Sequence, residues 1–295
     1  MKIATMKTLK RAVILLITAS LIFGCCACAK DTSGKGTSAQ SDTGESDDDI
    51  LALLANFGDY VNYNAASGNG AGKSYTTDES VTGSSTTSTF NSSDEMKWQI
   101  LNFDPNTGLV VLMATPTAEK LALYGKTGYK NAETVLNDIG AIYGCGDGAT
   151  GGRSLTIEDL NHLMRYTPED STNSQTFTTG TFINDDGTEV TATEDNPVTI
   201  SYTASTEEKS TNKFYSYECV ISDSYWLASR TIDWDYTCYY LVRGSDSGVI
   251  SGWDLFASYG PENQVSLPVV PVVTLKANIK TSGRDENGAW NLVLE

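Results

Sequence analysis

The sequence predicts an α+β domain in which two amphipathic helices are followed by a block of antiparallel strands. Between residues 128 and 166 apolar side chains recur at three- and four-residue steps, a spacing typical of helices. From residue 224 onward, short alternating segments are separated by polar or glycine turns, which is typical of strands. The expected boundaries are a domain over 50–279, insertions at 65–95 and 167–213, and a C-terminal hairpin over 280–295.

Residues 1–24 have the pattern of an export signal. Four lysine and arginine side chains precede the apolar run AVILLITASLIF at 12–23, which is short for a membrane span. The following IFGC resembles a lipobox, and because its glycine directly follows the apolar run we favour lipidation of Cys25. The protein would then be a membrane-anchored lipoprotein outside the cytoplasm. The alternative is cleavage after ACA, which would release a secreted chain beginning at Lys30.

Residues 25–49 are expected to form a disordered acidic tether rich in serine and glycine, because residues 31–49 contain no large apolar side chain. The whole chain carries a net charge of −17, and removal of the cationic leader makes the mature chain more acidic. Coulomb repulsion therefore argues against nucleic acid and anionic lipid surfaces as partners. We expect membrane contact only through the lipid anchor.

Three cysteines remain after the leader region, and export permits disulfides. We favour a Cys219–Cys238 disulfide, with Cys145–Cys238 as the alternative; either leaves one thiol over. No CxxC spacing supports a zinc or redox site. We expect no metal and no cofactor, and calcium beside Asp147 in the segment GCGDG is the alternative.

The first half of the chain predicts a short helix, a strand and a hairpin, in that order. The apolar segment at 50–57 suits one or two helical turns, and the alternation at 58–65 suits a strand with Tyr60 and Asn62 on its polar face. Residues 65–95 are rich in glycine, serine and threonine and predict a long excursion with a polar hairpin. The turn DPNTG predicts the hairpin at 98–114, with a positive φ at Gly108.

Two helices follow. The first covers GYKNAETVLNDIGAIYG at 128–144, and the second covers SLTIEDLNHLMRY at 154–166, where Thr156 and Asp159 have capping-box spacing. The glycine-rich stretch between them lacks a phosphate-binding ending and is interpreted as a flexible connection. Residues 167–213 are polar, and a hairpin around the Asp-Asp-Gly turn at 185–187 predicts an inserted arm.

The C-terminal strands begin with YWLASR at 225–230 and CYYLVR at 238–243, which we expect to pair. Alternation places Trp226 and Ala228 on one face of the first strand, and Tyr225, Leu227 and Ser229 on the other. The aromatic and arginine side chains of YWLASR alone suggest a site, but its context among the C-terminal strands predicts that it is the central strand of a sheet and that any ligand meets the loops it carries.

The order of five motifs resembles a family of uncharacterised exported domains of Firmicutes. The residues that carry it are WQIL at 98–101, GYKNA at 128–132 with Leu-Asn at 136–137, GRSLTIED at 152–159, YWLASR, and PVVTL at 271–275. The match covers about 58–279. It implies a C-type-lectin-like fold, shared with formylglycine-generating enzymes, in which two helices flank a twisted antiparallel sheet. Val270 stands where the family pattern has an arginine, and the lectin calcium motifs and the oxidase cysteine pair are not matched.

The function predicted from these features is a surface binding or adhesion module for a glycan or protein ligand. Aromatic and acidic side chains between the last strands suit sugar stacking or protein recognition. The candidate ligand-binding residues are Trp234, Asp235, Tyr236, Trp253, Asp254, Phe256 and Tyr259. For each aromatic taken singly, packing in the core is the competing interpretation.

No catalytic residue is assigned. A structural part of an envelope complex is the first alternative, and a carboxylate-based envelope hydrolase using Asp233, Asp235, Asp246 and Asp254 is the second. The chain contains no nucleophile elbow, HExxH motif or Ser/His/Asp order. His162 is the only histidine, and we interpret it as a surface group rather than a catalytic base.

Overall fold

The chain folds around a seven-stranded, mainly antiparallel sheet. The computed structural model describes residues 49–164, 174–183, 188–201, 224–232, 238–243, 250–253, 255 and 265–294. The helices are α1 (Leu51–Leu54), α2 (Glu79–Thr82), α3 (Gly125–Tyr143) and α4 (Ile157–Met164), with a 3-10 turn at Gly68–Gly70. The strands in the first half are β1 (Tyr60–Asn62), β2 (Ser74–Thr76), β3 (Thr89–Asn91), β4 (Trp98–Asp104), β5 (Leu109–Ala114), β6 (Lys120–Ala122) and β7 (Ala149–Ser154). The strands in the second half are β8 (Ser174–Phe177), β9 (Gly180–Ile183), β10 (Glu189–Ala192), β11 (Val198–Ser201), β12 (Tyr225–Ile232), β13 (Cys238–Arg243), β14 (Ile250–Trp253), β15 (Ser266–Pro268), β16 (Pro271–Leu275), β17 (Lys280–Arg284) and β18 (Trp290–Val293).

The main sheet has the strand order β17-β18-β1-β4-β5-β16-β7. Its neighbours are antiparallel except for β1 and β18, which run parallel with Val61 opposite Trp290. The first and last strands of the described domain therefore lie side by side. An α+β architecture with a mostly antiparallel sheet is what the sequence predicts.

The hairpin of β4 and β5 confirms the prediction from DPNTG. Asp104 pairs with Leu109, and the side chain of Asp104 accepts hydrogen bonds from Asn106 N at 2.9 Å and Thr107 Oγ1 at 2.9 Å. Gly108 has φ +67°, a conformation that glycine adopts without a steric penalty. The turn chemistry fixes the register of the two strands at the centre of the sheet.

The sheet is covered on both faces, and alternate strand residues enter two separate cores. Ile100, Leu112 and Val273 pack with α3 in the larger core. Leu101, Met113 and Val272 pack with α4 in the smaller core. This one-residue alternation follows from the period of two in a strand. The predicted arrangement of one helix on each face is therefore present. The apolar stripe predicted for the first helix is buried: Ala132, Val135, Leu136, Ile139 and Tyr143 are each at most 1% exposed.

The prediction of a flexible connection between the two helices is wrong, because residues 149–154 form the edge strand β7, paired with β16. Helix α3 approaches the backbone of β7 so closely that only glycine fits on the helix. A Cβ on Gly140 would lie 2.1 Å from the carbonyl carbon of Arg153, and one on Gly144 would lie 2.1 Å from Gly152 N. The glycines thus serve close packing of a helix on a strand.

YWLASR is not a central strand, contrary to the prediction. β12 is the outer strand of a three-stranded sheet of order β12-β13-β14, and Trp226 also forms a parallel bridge with Val269. Its pairing with CYYLVR is confirmed, with Tyr225 opposite Arg243. The predicted faces are confirmed too. Trp226 and Ala228 enter the larger core, and Tyr225 and Leu227 enter the smaller one.

Both predicted insertions contain paired strands that are packed against the domain. In the first, β2 pairs with β3, α2 packs on α3, and Phe90 is 0% exposed. In the second, β9 pairs with β10 and β8 with β11, as expected for a hairpin arm, although the turn at 184–187 lies outside the described residues. Phe177 and Phe182 stack with centroids 4.6 Å apart and belong to the larger core.

The C-terminal hairpin of β17 and β18 is confirmed, and its two strands are part of the main sheet rather than an appendage. The predicted leader and most of the tether lie outside the described residues, which all belong to one compact unit beginning at Ser46. In the part of the chain that the structure describes, no helix is long and apolar enough to cross a bilayer.

Candidate functional site

The loop positions predicted from the sequence lie almost entirely outside the described residues. Trp253 is the exception in backbone terms, because it ends β14 opposite Tyr240. The predicted positions outside the described residues are Trp234, Asp235, Tyr236, Asp254, Phe256 and Tyr259, and also the acids Asp233 and Asp246. Cys25 and Cys219 lie outside them as well. Cys145 is a free thiol, so the alternative Cys145–Cys238 disulfide is not formed, while the Cys219–Cys238 pairing stays a prediction.

YWLASR, which forms most of β12, contacts three other elements of the fold: β6, α3 and the start of α4. The indole Nε1 of Trp226 donates to Leu121 O on β6 at 2.8 Å, and Trp226 is 0% exposed. Ala228 N donates to Leu155 O at 2.8 Å, just before α4. The guanidinium of Arg230 lies 5.4 Å from the ring centroid of Tyr129 on α3, within cation–π range. The hexapeptide therefore holds the two helices and β6 together, and we refer to it as the junction.

The junction also supports the start of α4. The Ser229 hydroxyl accepts a hydrogen bond at 3.0 Å from Ile157 N, one of the amides that a helix leaves without an internal partner. Asp159 accepts at 3.0 Å from Thr156 N, which confirms the predicted capping pair. Asp159 also binds both terminal nitrogens of Arg153 on β7, and this contact raises the pKa of Arg153. Residues of GRSLTIED therefore hydrogen-bond to one another and to YWLASR within the fold.

His162 is an exposed surface group and lies beside an aromatic surface. Its ring sits edge-on to Phe57 at 6.3 Å, and Phe57 in turn lies 4.7 Å from Phe103. Phe57 is 50% exposed. The ring contacts that the structure describes at this imidazole are therefore aromatic.

Asp147 is placed by backbone contacts. Its amide donates to Ser67 Oγ at 2.8 Å, and its carboxylate lies against Gly68, where an added Cβ would be 1.9 Å from Oδ1. Among the described residues no group of three or more histidine, cysteine or acidic side chains is arranged to hold a metal ion.

A cleft of about 460 Å³ lies at one end of the main sheet, within the size range of small-ligand sites. The end of β1, the start of β4 and the turn that leads into β18 meet there. Its lining consists of Tyr60, Val61, Asn62, Tyr63, Met96, Lys97, Trp98, Asp285, Asn287 and Ala289. The cleft thus combines three aromatic side chains with amide, carboxylate and ammonium groups.

The floor of the cleft is aromatic and rigid. Tyr63 and Trp98 are 7% and 3% exposed, and their rings meet edge to face at 5.0 Å. The hydroxyl of Tyr63 donates to Tyr143 O at 2.7 Å and accepts from Gly146 N at 3.1 Å. Burial raises the pKa of Tyr63 far above its usual value, so the hydroxyl stays protonated. The floor is therefore anchored to the end of α3.

The rim of the cleft is polar. Asn62 Nδ2 donates to Asp285 Oδ2 at 2.9 Å and to Asn291 Oδ1 at 2.8 Å. Asp285 Oδ1 also accepts from Asn287 N and Ala289 N, each at 2.9 Å. The hydrogen bond from Asn62, followed by the backbone hydrogen bonds, lowers the pKa of Asp285. Asp285 therefore carries a negative charge at neutral pH.

A second carboxylate fastens the C-terminal hairpin beside the cleft. Asp59 Oδ2 accepts from Trp290 Nε1 at 2.9 Å and from Asn56 N at 2.9 Å, and it pairs with Arg284. Arg284 lies 4.2 Å from the centroid of the Trp290 ring. Burial by itself would raise the pKa of Asp59, but the hydrogen bonds and the guanidinium outweigh it and the pKa is lowered. We refer to Asp59, Arg284 and Trp290 as the clamp.

The sequence did not predict this cleft, because its lining comes from segments more than 180 residues apart that the parallel pairing of β1 and β18 brings together. One signal was present. The alternation at 58–65 placed Tyr60 and Asn62 on the polar face, and the structure confirms it, since Val61 and Tyr63 are buried and Asn62 is exposed. The alternation did not indicate which distant segment would lie beside that face of β1.

The chain has no match among known protein families, curated proteins or solved structures.

Proposed function

We propose that the protein is an exported, lipid-anchored binding module of the cell envelope that captures a glycan or protein ligand, with the cleft as its binding site. The observation that carries this proposal is the composition of the cleft. Its lining includes a half-exposed tyrosine and an exposed asparagine together with aromatic rings that are already packed and hydrogen-bonded. Preformed concave sites with a few placed polar groups are typical of ligand binding.

The contrast with the junction supports this choice of site. In the junction Trp226 Nε1 and Ser229 Oγ hydrogen-bond to other elements of the fold, whereas the rim of the cleft keeps Asn62 exposed beside a charged carboxylate. Fixed polar groups at a solvent-facing concavity favour binding over a purely structural role. The predicted loops at 233–236 and 253–259 are retained in the proposal as a second contact surface.

Export and anchoring are proposed from the sequence. The leader at 1–24, Cys25 in IFGC and the acidic tether at 25–49 are the arrangement expected of a lipoprotein displayed away from the membrane. The C-type-lectin-like fold is proposed from the motif resemblance, and the placement of α3 and α4 on opposite faces of an antiparallel sheet supports it.

The test uses the exported protein, purified in detergent and probed on arrays of glycans and of envelope proteins. We expect selective retention of one ligand class and its loss in Asn62→Ala. Mass spectrometry of the same preparation reads the mature N-terminus, where a lipid on Cys25 is expected. If the folded protein retained neither glycans nor proteins, the binding function would be wrong and a structural part of an envelope complex would replace it.

A further inference from the structure

We propose that the cleft binds a sugar ring of a neutral, hydroxyl-rich glycan, with Tyr60 as the stacking face and Asn62 and Asp285 as hydrogen-bond acceptors. This inference rests on the proposed binding function and names the ligand class of the same site. It requires neither the predicted loops nor a metal ion, since every group invoked belongs to β1 or to the turn between β17 and β18.

The rim is rich in acceptors. Both Nδ2 hydrogens of Asn62 are used inside the protein, on Asp285 and Asn291. The Asn62 carbonyl oxygen is therefore its remaining polar atom, on an exposed side chain. Asp285 Oδ1 already accepts from Asn287 N and Ala289 N, whereas Oδ2 accepts from Asn62 and has a second lone pair for a ligand donor. Adjacent acceptors of this kind suit a ligand that presents neighbouring hydroxyl donors.

The aromatic part of the site suits the apolar face of a sugar ring. Tyr60 is half-buried and stands on the same face of β1 as Asn62, two residues away. A tyrosine ring offers a broad apolar surface beside a polar edge, so a ring that stacks on Tyr60 can direct its hydroxyls toward Asn62. Tyr63 and Trp98 also line the cleft.

Electrostatics select against acidic sugars. The chain has a net charge of −17, and the carboxylate of Asp285 stays ionised because the hydrogen bond from Asn62, together with backbone amides, lowers its pKa. A ligand carboxylate or phosphate would meet this charge at short range. A neutral glycan avoids this repulsion and meets the hydrogen-bond acceptors of the rim, the ammonium of Lys97 and an apolar face.

The strand topology disfavours an extended peptide. Peptides commonly add a strand to an exposed sheet edge, but β1 is paired on both sides, with β18 and with β4. The cleft thus offers side chains rather than a row of free backbone groups. A glycan, which needs no backbone ladder, is the better chemical match.

The experiment is calorimetric titration of the exported protein in detergent. The probes are neutral tetrasaccharides of hexoses and of N-acetylhexosamines, and hexuronate tetrasaccharides serve as charged counterparts. We expect a neutral probe to bind at least about tenfold more tightly than its hexuronate counterpart. Tyr60→Ala and Asn62→Ala should each weaken binding about tenfold or more, and Tyr60→Phe, which keeps the ring, should stay within about threefold.

Two further variants keep the test decisive if Asn62→Ala loosens the hairpin. Asn287→Ala alters an exposed side chain of the rim and should weaken binding severalfold. Asn106→Ala, an exposed asparagine of the β4–β5 turn, should bind as the parent protein does. The inference is overturned if hexuronates bind as well as neutral sugars, or if the variants at Tyr60, Asn62 and Asn287 leave binding unchanged. It is also overturned if only proteins bind, an outcome that would leave the binding function itself standing.

Discussion

The junction around Trp226 and the cleft beside Tyr60 contain the same kinds of residue but serve different roles. In both regions aromatic rings lie next to polar or charged groups. In the junction Trp226 is 0% exposed and its indole nitrogen is bonded to β6. In the cleft Asn62 is exposed, and its amide donates to Asp285 and Asn291. Burial separates an architectural aromatic cluster from one that is available to a ligand.

The difference has a thermodynamic consequence. Substitutions in the junction remove buried contacts and should lower the free energy of unfolding strongly. Substitutions on the rim of the cleft remove little buried surface and should act on ligand binding instead. The clamp lies between the two extremes, because its carboxylate is partly buried and shared by three donors. Four variants compare the contributions of different regions to the free energy of unfolding.

The largest effect is expected for Trp226→Ala. Loss of a fully buried indole leaves a cavity between β6 and the larger core, and such truncations typically cost about 3–5 kcal/mol. Urea unfolding monitored by circular dichroism measures the change. Trp226→Phe is the control, since it keeps a ring but leaves Leu121 O without its indole donor, a loss of about 1–3 kcal/mol. A cost below about 1 kcal/mol for Trp226→Ala would contradict the architectural role.

Gly140→Ala comes next. Its Cβ would lie 2.1 Å from the carbonyl carbon of Arg153, so α3 must move away from β7, at a cost of about 1–3 kcal/mol. Gly151→Ala on β7 is the control, because nothing lies within 4 Å of its added Cβ. Thermal unfolding of the two variants side by side measures the difference. Equal melting temperatures would show that the close helix–strand contact does not contribute to stability.

Asp59→Asn should cost about 1–2 kcal/mol at neutral pH, because it removes charge-assisted hydrogen bonds from a group that is only partly buried. The pKa of Asp59 is lower in the folded state than in the unfolded chain. Its contribution is therefore fully present above its ordinary pKa, near 3.9, and is lost as pH falls through that value toward the folded pKa. Unfolding curves measured between about pH 7 and pH 3 should converge for parent and variant.

The control for Asp59 is Glu286→Gln, which removes the same charge from an exposed side chain of the β17–β18 turn. Its unfolding free energy should follow that of the parent protein at every pH. If the Asp59→Asn curve stayed parallel to the parent curve instead of converging with it, the clamp would not depend on the ionised carboxylate.

Local sequence patterns predicted the individual helices, strands and turns well, but predicted less well which strands pair with one another. The DPNTG turn, the stripe on α3, the capping pair Thr156–Asp159 and the two faces of β12 depend on residues close in sequence, and the structure confirms each of them. The sheet membership of YWLASR and of the glycine-rich strand β7 depends on distant partners, so alternation and composition did not determine it. The cleft was missed for the same reason, because the pairing of β1 with β18 is a contact between the two ends of the domain.

The smallest effect on stability is expected for Asn287→Ala. The side chain is exposed, and its backbone amide, which donates to Asp285 Oδ1 at 2.9 Å, is kept in the variant. The unfolding free energy should change by less than about 0.5 kcal/mol, the usual range for surface positions. Urea unfolding checks this value on the same preparation that is used for ligand titration. A loss of more than about 1 kcal/mol would mean that Asn287 stabilises the turn, and weaker ligand binding in this variant could then be attributed to a displaced Asp285 instead of a lost contact.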